Sequence, residues 1–210
     1  MKSLWTIALA CLLFAACSDT DDSYDGYANW KARNAEWFAQ VLDSARTDIA
    51  AKGDNSAWRI RRTLLKTDAS NGNDSNYVVM KKMGVVKELG VLSPSYTDTV
   101  CLAYRGWLME RMDYVDNDET LSPIKTVFAQ TFFGTFNPKT AGIVEAPVSE
   151  YVEGFATALQ YMKSGEMWMV YIPQGMGYGA ESKTVVPAYS TLQFFVWLQS
   201  WRRSGIPGDM

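Results

Sequence analysis

The chain contains no histidine. That absence removes Ser-His-Asp and Cys-His catalysis, histidine metal sites and imidazole pH switching. An enzyme built from this chain must use other groups, or perform chemistry that needs no proton transfer. Cysteine is scarce too, with three residues at positions 11, 17 and 101. Two lie in the N-terminal segment, so no disulfide framework is available. Cys101 falls in an apolar run, where a lone cysteine usually serves as a small buried hydrophobe. Positive charge is not in excess: 20 Lys and Arg face 23 Asp and Glu. No basic stretch is interleaved with aromatics to track phosphates, which argues against a nucleic-acid partner.

What is present is apolar and aromatic. With 210 residues, 48% hydrophobic and 13% aromatic, the chain can bury one good core, and two compact domains are not expected. Met1–Cys17 combines a basic start, the apolar run Leu4–Phe14 and Ala15-Ala16-Cys17. It reads as a secretory signal, too short in its apolar run for an ordinary spanning helix. Cysteine after two alanines resembles the bacterial lipobox, with Phe14 in place of the usual Leu. The resemblance implies cleavage before Cys17 and a lipid anchor on it; an ordinary signal peptide with incidental cysteines is the alternative. Ser18–Asp22 is polar and acidic, suited to a solvated tether. It also resembles the export tag that sends Bacteroidetes lipoproteins to the outer face of the outer membrane. The expected organisation is a signal at 1–16, a tether at 17–28, a helix at 29–53 and a main domain at 57–203.

From Asn29 to Ala51, apolar residues Trp30, Trp37, Phe38, Val41, Ala45 and Ile49 predict an amphipathic helix, ended by Gly53 and docked on the main domain. Strands are predicted at Trp58–Lys66, Tyr77–Met83 and Val100–Leu108, the last nearly all apolar and therefore central. Asp68–Asn76 reads as a polar loop containing Gly72. The acids Asp113, Asp116, Asp118 and Glu119 lack the EF-hand glycine and terminal glutamate, so they read as a solvated loop. Val152, Phe155, Leu159 and Met162 predict a second helix over Ser149–Lys163, capped by Ser149 and terminated by Gly165. Strand Trp168–Ile172 follows, stopped by Pro173, then a Gly-rich loop and a strand running to Leu198. The fold class is α+β, a sheet wrapped on one helix.

The order VEGF, AL, GE, YIP, GYG and VPAYSTLQF from Val152 to Phe194 resembles the C-terminal half of the FKBP-type peptidyl-prolyl isomerases. The resemblance covers Asp98–Trp201 well and the earlier strands more loosely. It implies a twisted antiparallel half-barrel around one helix, with the helix at 29–53 as an addition outside the minimal core. It implies an aromatic pocket for a proline ring. Tyr104, in Ala103-Tyr104-Arg105-Gly106-Trp107, Phe128 and Tyr178, in Gly177-Tyr178-Gly179, would carry the isomerisation. Phe155 would form the floor, Val144, Tyr151, Val186 and Phe194 the walls, and Val152 would offer its backbone N–H. Taken singly, Phe155, Phe194 and Tyr104 read as core before they read as ligand contacts; only their joint placement in the family pattern reverses that. Gly175, Gly177 and Gly179 lack a following GK[ST] and read as a hinge before Tyr178 rather than a phosphate loop.

Departures from the family pattern bear on efficiency. Ala129 stands where an aspartate normally follows Phe128 and accepts a hydrogen bond from the strand tyrosine. Phe155 replaces the more frequent tryptophan, Val144 a phenylalanine, and Tyr151 an aliphatic residue. The expected function is prolyl isomerisation in exported proteins by a monomer that needs no cofactor or metal, acting on proline-containing peptide segments and held at a membrane through Cys17. A peptide-binding module with little turnover and a glycan-binding surface lipoprotein are the competing expectations.

Overall fold

A computed structural model describes residues 25–65, 76–87, 90–114 and 120–204. The signal segment, Cys17, most of the tether, the loop with Gly72, and Asp116, Asp118 and Glu119 lie outside the described residues.

Helix α1 spans Trp30–Lys52 and ends at Gly53, whose φ of 55° is the left-handed conformation that glycine adopts without a Cβ clash. Its buried line is Trp30, Asn34, Phe38, Leu42 and Ala45. The predicted stripe is thus rotated: Trp37 and Val41 flank the contact, while Asn34 and Leu42 sit within it. Asn34 escapes a hydrophobicity reading because its polar groups are satisfied internally. Its Nδ2 donates to the Trp30 carbonyl at 2.8 Å, and its Oδ1 accepts the Thr191 N–H at 2.8 Å. Trp30 Nε1 donates to Ser190 Oγ at 2.8 Å, so the helix is pinned to the chain just ahead of the last strand.

Among the described residues nine strands follow: β1 Trp58–Arg62, β2 Tyr77–Val85, β3 Thr99–Leu108, β4 Arg111–Tyr114, β5 Leu121–Ile124, β6 Val127–Gln130, β7 Val144–Pro147, β8 Glu166–Ile172 and β9 Leu192–Arg202. The main sheet is antiparallel in the order β1-β2-β8-β9-β3-β6, and β7 also pairs with β3. β3 is interior, as its apolar run predicts, with β9 on one side and the short β6 and β7 sharing the other. β4 and β5 form a separate hairpin. β1 stops at Arg62, short of the predicted Lys66, where the Thr63 N–H turns to the Asn76 carbonyl at 3.2 Å.

Helix α2, Glu153–Leu159, is shorter than predicted. Ser149 is no cap: it lies in a single 3-10 turn, Val148–Glu150, and the chain re-extends through Tyr151 and Val152 before the helix begins. Gly165 does have positive φ, 89°, but it sits beyond the helix end. Its role is close approach, since a Cβ there would fall 1.6 Å from the Lys87 carbonyl oxygen.

Alternation along the strands separates two faces. One carries the main core, with Val78, Met80, Trp168, Val170, Ile172, Phe194, Val196 and Leu198 packed with Phe155 and Leu159 of α2. On the other, Val79, Ile60, Trp58 and Tyr171 meet Phe38, Leu42 and Ala45 of α1. The two helices therefore clamp the sheet from opposite sides.

Candidate active site

The sheet and the start of α2 enclose a cavity of about 200 Å³. Tyr104 comes from β3, Phe128 and Ala129 from β6, and Phe194 from β9. Glu150, Tyr151 and Val152 come from the stretch before α2, Phe155 from its first turn, and Tyr178 from the loop after β8. Tyr104 and Phe194 lie on the face shared with α2, and a register shift in the β3–β6 ladder at Gly106/Trp107 brings the consecutive Phe128 and Ala129 both into the lining. Phe155 and Phe194 are 2% and 6% exposed and form the floor; Tyr104, Phe128, Tyr151 and Tyr178 are half-buried walls.

Phe194 is the hub. Its ring centroid lies 4.8 Å from Phe155, 5.2 Å from Phe128 and 6.1 Å from Tyr104, each at an interplanar angle of 70–80°. These edge-to-face contacts satisfy the ring quadrupoles and hold the rings in fixed relative orientations. Gly106 makes the meeting possible: a Cβ there would fall 2.6 Å from Phe194 Cε1 and 2.8 Å from Phe128 Cζ. Thr131 fixes the backbone of Tyr104, accepting its N–H on Oγ1 at 3.0 Å and donating its own N–H to the Tyr104 carbonyl at 2.9 Å.

Apart from the Glu150 carboxylate, the polar side chains of the lining are phenols. Burial, reinforced by neighbouring Tyr178, raises the Tyr104 hydroxyl pKa above its ordinary value. Burial, then Tyr104, Glu150 and Cys101, push Tyr151 up to about 12. Both phenols are therefore neutral donors at physiological pH. Among the described residues neither the Tyr104 nor the Tyr178 hydroxyl has a hydrogen-bond partner, and the Val152 N–H makes no backbone hydrogen bond. Three donors of lining residues are thus left unengaged among the described residues.

Of the residues expected in the site, Tyr104, Phe128, Tyr151, Val152, Phe155, Tyr178 and Phe194 come together around this one cavity. Val144 and Val186 are not on its wall. Val144 pairs with Leu102 in the β7 ladder and packs against the core, and Val186 is itself core, 3% exposed. Its loop is turned inward by backbone hydrogen bonds exchanged with Lys183 at 2.8 and 3.2 Å. Tyr151 does not plug the hollow: its ring lies against Phe155, centroids 4.8 Å apart and tilted by 32°. Glu150 and Gly106 were missed. Glycine inside a strand is the sequence signal that marks such a close approach.

Residues 92–199 match the family model for the FKBP-type peptidyl-prolyl cis-trans isomerases. That span is just over half of the chain and contains every residue of the cavity.

The chain belongs to the FKBP-type isomerase family.

Its α+β architecture, a large antiparallel sheet with an added N-terminal helix, is FKBP-like. The macrophage infectivity potentiator of Trypanosoma cruzi is 36% identical over 58 residues, which cover 27% of this chain and 30% of that protein. The match therefore spans less than a third of that relative's length. Among solved structures, FkpA from Escherichia coli shares 19% identity over 84% of this chain and 64% of its own, with a TM-score of 0.48. A peptidyl-prolyl cis-trans isomerase from Pseudomonas syringae pv. tomato shares 17% over 79% of this chain and 96% of its own, with a TM-score of 0.46.

Proposed function

We propose that this FKBP-type chain isomerises X-Pro bonds in exported proteins, with Tyr104, Phe128, Phe155, Tyr178 and Phe194 gripping the prolyl ring. What carries the reading is one observation: seven residues at the family's site positions, Phe155 and Tyr151 among them as departures in residue type, line a single cavity. An X-Pro bond resists rotation by roughly 18–20 kcal/mol because amide resonance makes C–N partly double. Resonance is lost in the twisted transition state, and the C–N unit becomes less dipolar. A water-excluding aromatic hollow therefore disfavours the planar ground state more than the twisted one. The Val152 N–H and the Tyr178 hydroxyl hold the flanking carbonyls while the bond turns. No base or nucleophile enters, which accords with a chain that has no histidine.

Ala129 in the lining weighs on turnover. It supplies no carboxylate to the Tyr104 hydroxyl, which has no partner among the described residues. A second reading follows from this gap and from a cavity of about 200 Å³, below the roughly 300–1,000 Å³ of ordinary ligand pockets. In that reading the site holds prolyl segments with little turnover. A lipid on Cys17 would place either activity at the outer membrane, among polypeptides still folding. A protease-coupled assay with a prolyl tetrapeptide decides between the readings. Turnover above buffer that Phe155→Ala and Tyr178→Phe reduce supports the enzyme; peptide binding without turnover leaves the binding module.

A further inference from the structure

On the face of the sheet that carries the cavity, but at the far end of α2, the chain builds a second and very different recess. It is a groove of about 270 Å³ lined by Arg59, Arg61, Lys82, Lys163, Tyr161 and Trp168, with Met80 at its floor and Glu166 at its edge. Register places the cations on the α2 face: Arg59 is opposite Met80, Arg61 opposite Val78, and Lys82 opposite Trp168. Four cations against one carboxylate give the groove a local charge of +3, in a chain whose net charge is −3.

Two cations are already committed. Lys82 Nζ pairs with Glu166 at 2.6 Å, and the Arg59 guanidinium donates to the carbonyls of Asp54, Ser56 and Trp58. Arg61 is different: its guanidinium lies over the Tyr161 ring, 5.1 Å from the centroid, a cation–π contact that leaves its charge unpaired by any acid among the described residues. Neither Arg61 nor the exposed Lys163 has a carboxylate partner among the described residues. The groove therefore holds two cations beside the Tyr161 ring, and its one acid, Glu166, is already taken by Lys82.

We propose that this groove takes an acidic stretch of the same polypeptide whose prolyl residue occupies the cavity, so that the chain prefers clients with carboxylates a few residues from the proline. The inference rests on the isomerase reading and adds a charge preference to it. Val152, at the cavity, lies one residue before α2, and Tyr161, at the groove, lies two residues after it; the helix between them is about 10 Å long at 1.5 Å per residue. An extended peptide passes the helix in about three residues, within reach of a four-residue spacer. A groove with Arg61 half-buried inside it and Lys163 exposed beside it suits a narrow chain bearing carboxylates better than the plane of a bilayer.

The test uses the full chain and fluorescein-labelled peptides in which the prolyl tetrapeptide is extended, on either end, by a four-residue Gly/Ser spacer and four glutamates, lysines or serines. Anisotropy should show the glutamate peptide bound about five- to tenfold more tightly than the serine peptide, with the advantage shrinking as salt rises. Arg61→Glu with Lys163→Glu should abolish that preference, and Lys163→Gln alone, at an exposed position, should halve it or more. Turnover of the unextended tetrapeptide should be the same in all variants. Equal binding of glutamate and lysine peptides, or a preference that survives both reversals, overturns the proposal. So does charge-dependent binding to phosphatidylglycerol vesicles without an acidic-peptide preference. Absent turnover in the wild type would instead reject the isomerase reading, and the anisotropy arm separates the two failures.

Discussion

Gly154 and Ile172 touch so closely that any side chain at 154 would collide. An added Cβ would fall 2.2 Å from Ile172 Cγ2, and Ile172 is completely buried at the end of β8. That approach sets the height of α2 above the sheet, and therefore the position of Phe155, one residue further on.

Gly154→Ala should consequently act on both stability and site. Overpacking a full core costs about 1–3 kcal/mol, which urea unfolding will register as a lower midpoint at constant slope. Because the helix must lift, kcat/KM for a prolyl tetrapeptide should fall more than tenfold even where the protein remains folded. Full activity in a destabilised variant would show that the contact serves packing alone.

Ala129 sits on β6 opposite Gly106, on the cavity wall and beside Phe128. Ala129→Asp should supply the missing acceptor for the Tyr104 hydroxyl. A hydrogen bond to a charged group is worth about 1.5–3 kcal/mol, so kcat/KM should rise about tenfold. The gain should vanish in Ala129→Asp combined with Tyr104→Phe, which removes the donor and leaves the ring. A rise that persists without the hydroxyl would mean the acid acts by another route.

Much of this arrangement was legible in the residues. The helix Trp30–Lys52 and the longer strands follow from periodicity and glycine placement, whereas the seven cavity residues were named only through the resemblance to the isomerase family. What escaped depended on tertiary partners. Asn34 reads as a solvent residue until Thr191 is known to face it, and Ser149 reads as a cap until the chain re-extends at Tyr151. Val144 and Val186 carry the right chemistry for a pocket wall. Whether a valine faces a hollow or the adjoining core is decided by a few ångströms of loop path, and composition is blind to that.

Asn34 yields a prediction of its own. It is fully buried, and its side chain accepts the Thr191 N–H at 2.8 Å, three residues before Phe194. Asn34→Ala leaves that buried donor without an acceptor, a cost of about 1–3 kcal/mol, and weakens the hold of α1 on β9. The urea midpoint should drop accordingly, and the Thr191 amide should lose hydrogen-exchange protection ahead of the strand interior. Unchanged exchange at Thr191 would show that the helix adds nothing to this end of the sheet.

The pH dependence follows from the phenols. The Tyr151 hydroxyl pKa is pushed up to about 12 in the folded protein, chiefly by burial, against about 10 for an exposed tyrosine. The folded state thus holds the proton more tightly than the unfolded one. Its stabilising contribution is complete below pH 10 or so and is lost as pH rises through about 12. Tyr104, raised in the same direction, adds to the loss. With no histidine to titrate, kcat/KM should be flat from about pH 6 to 9, since both phenols remain protonated donors throughout. Urea midpoints should hold over that range and fall steeply between about pH 10 and 12, less so in Tyr151→Phe. A bell-shaped rate profile centred near neutrality would show that the reaction depends on a proton transfer, and would overturn the reading in which the cavity's rings and neutral phenols suffice.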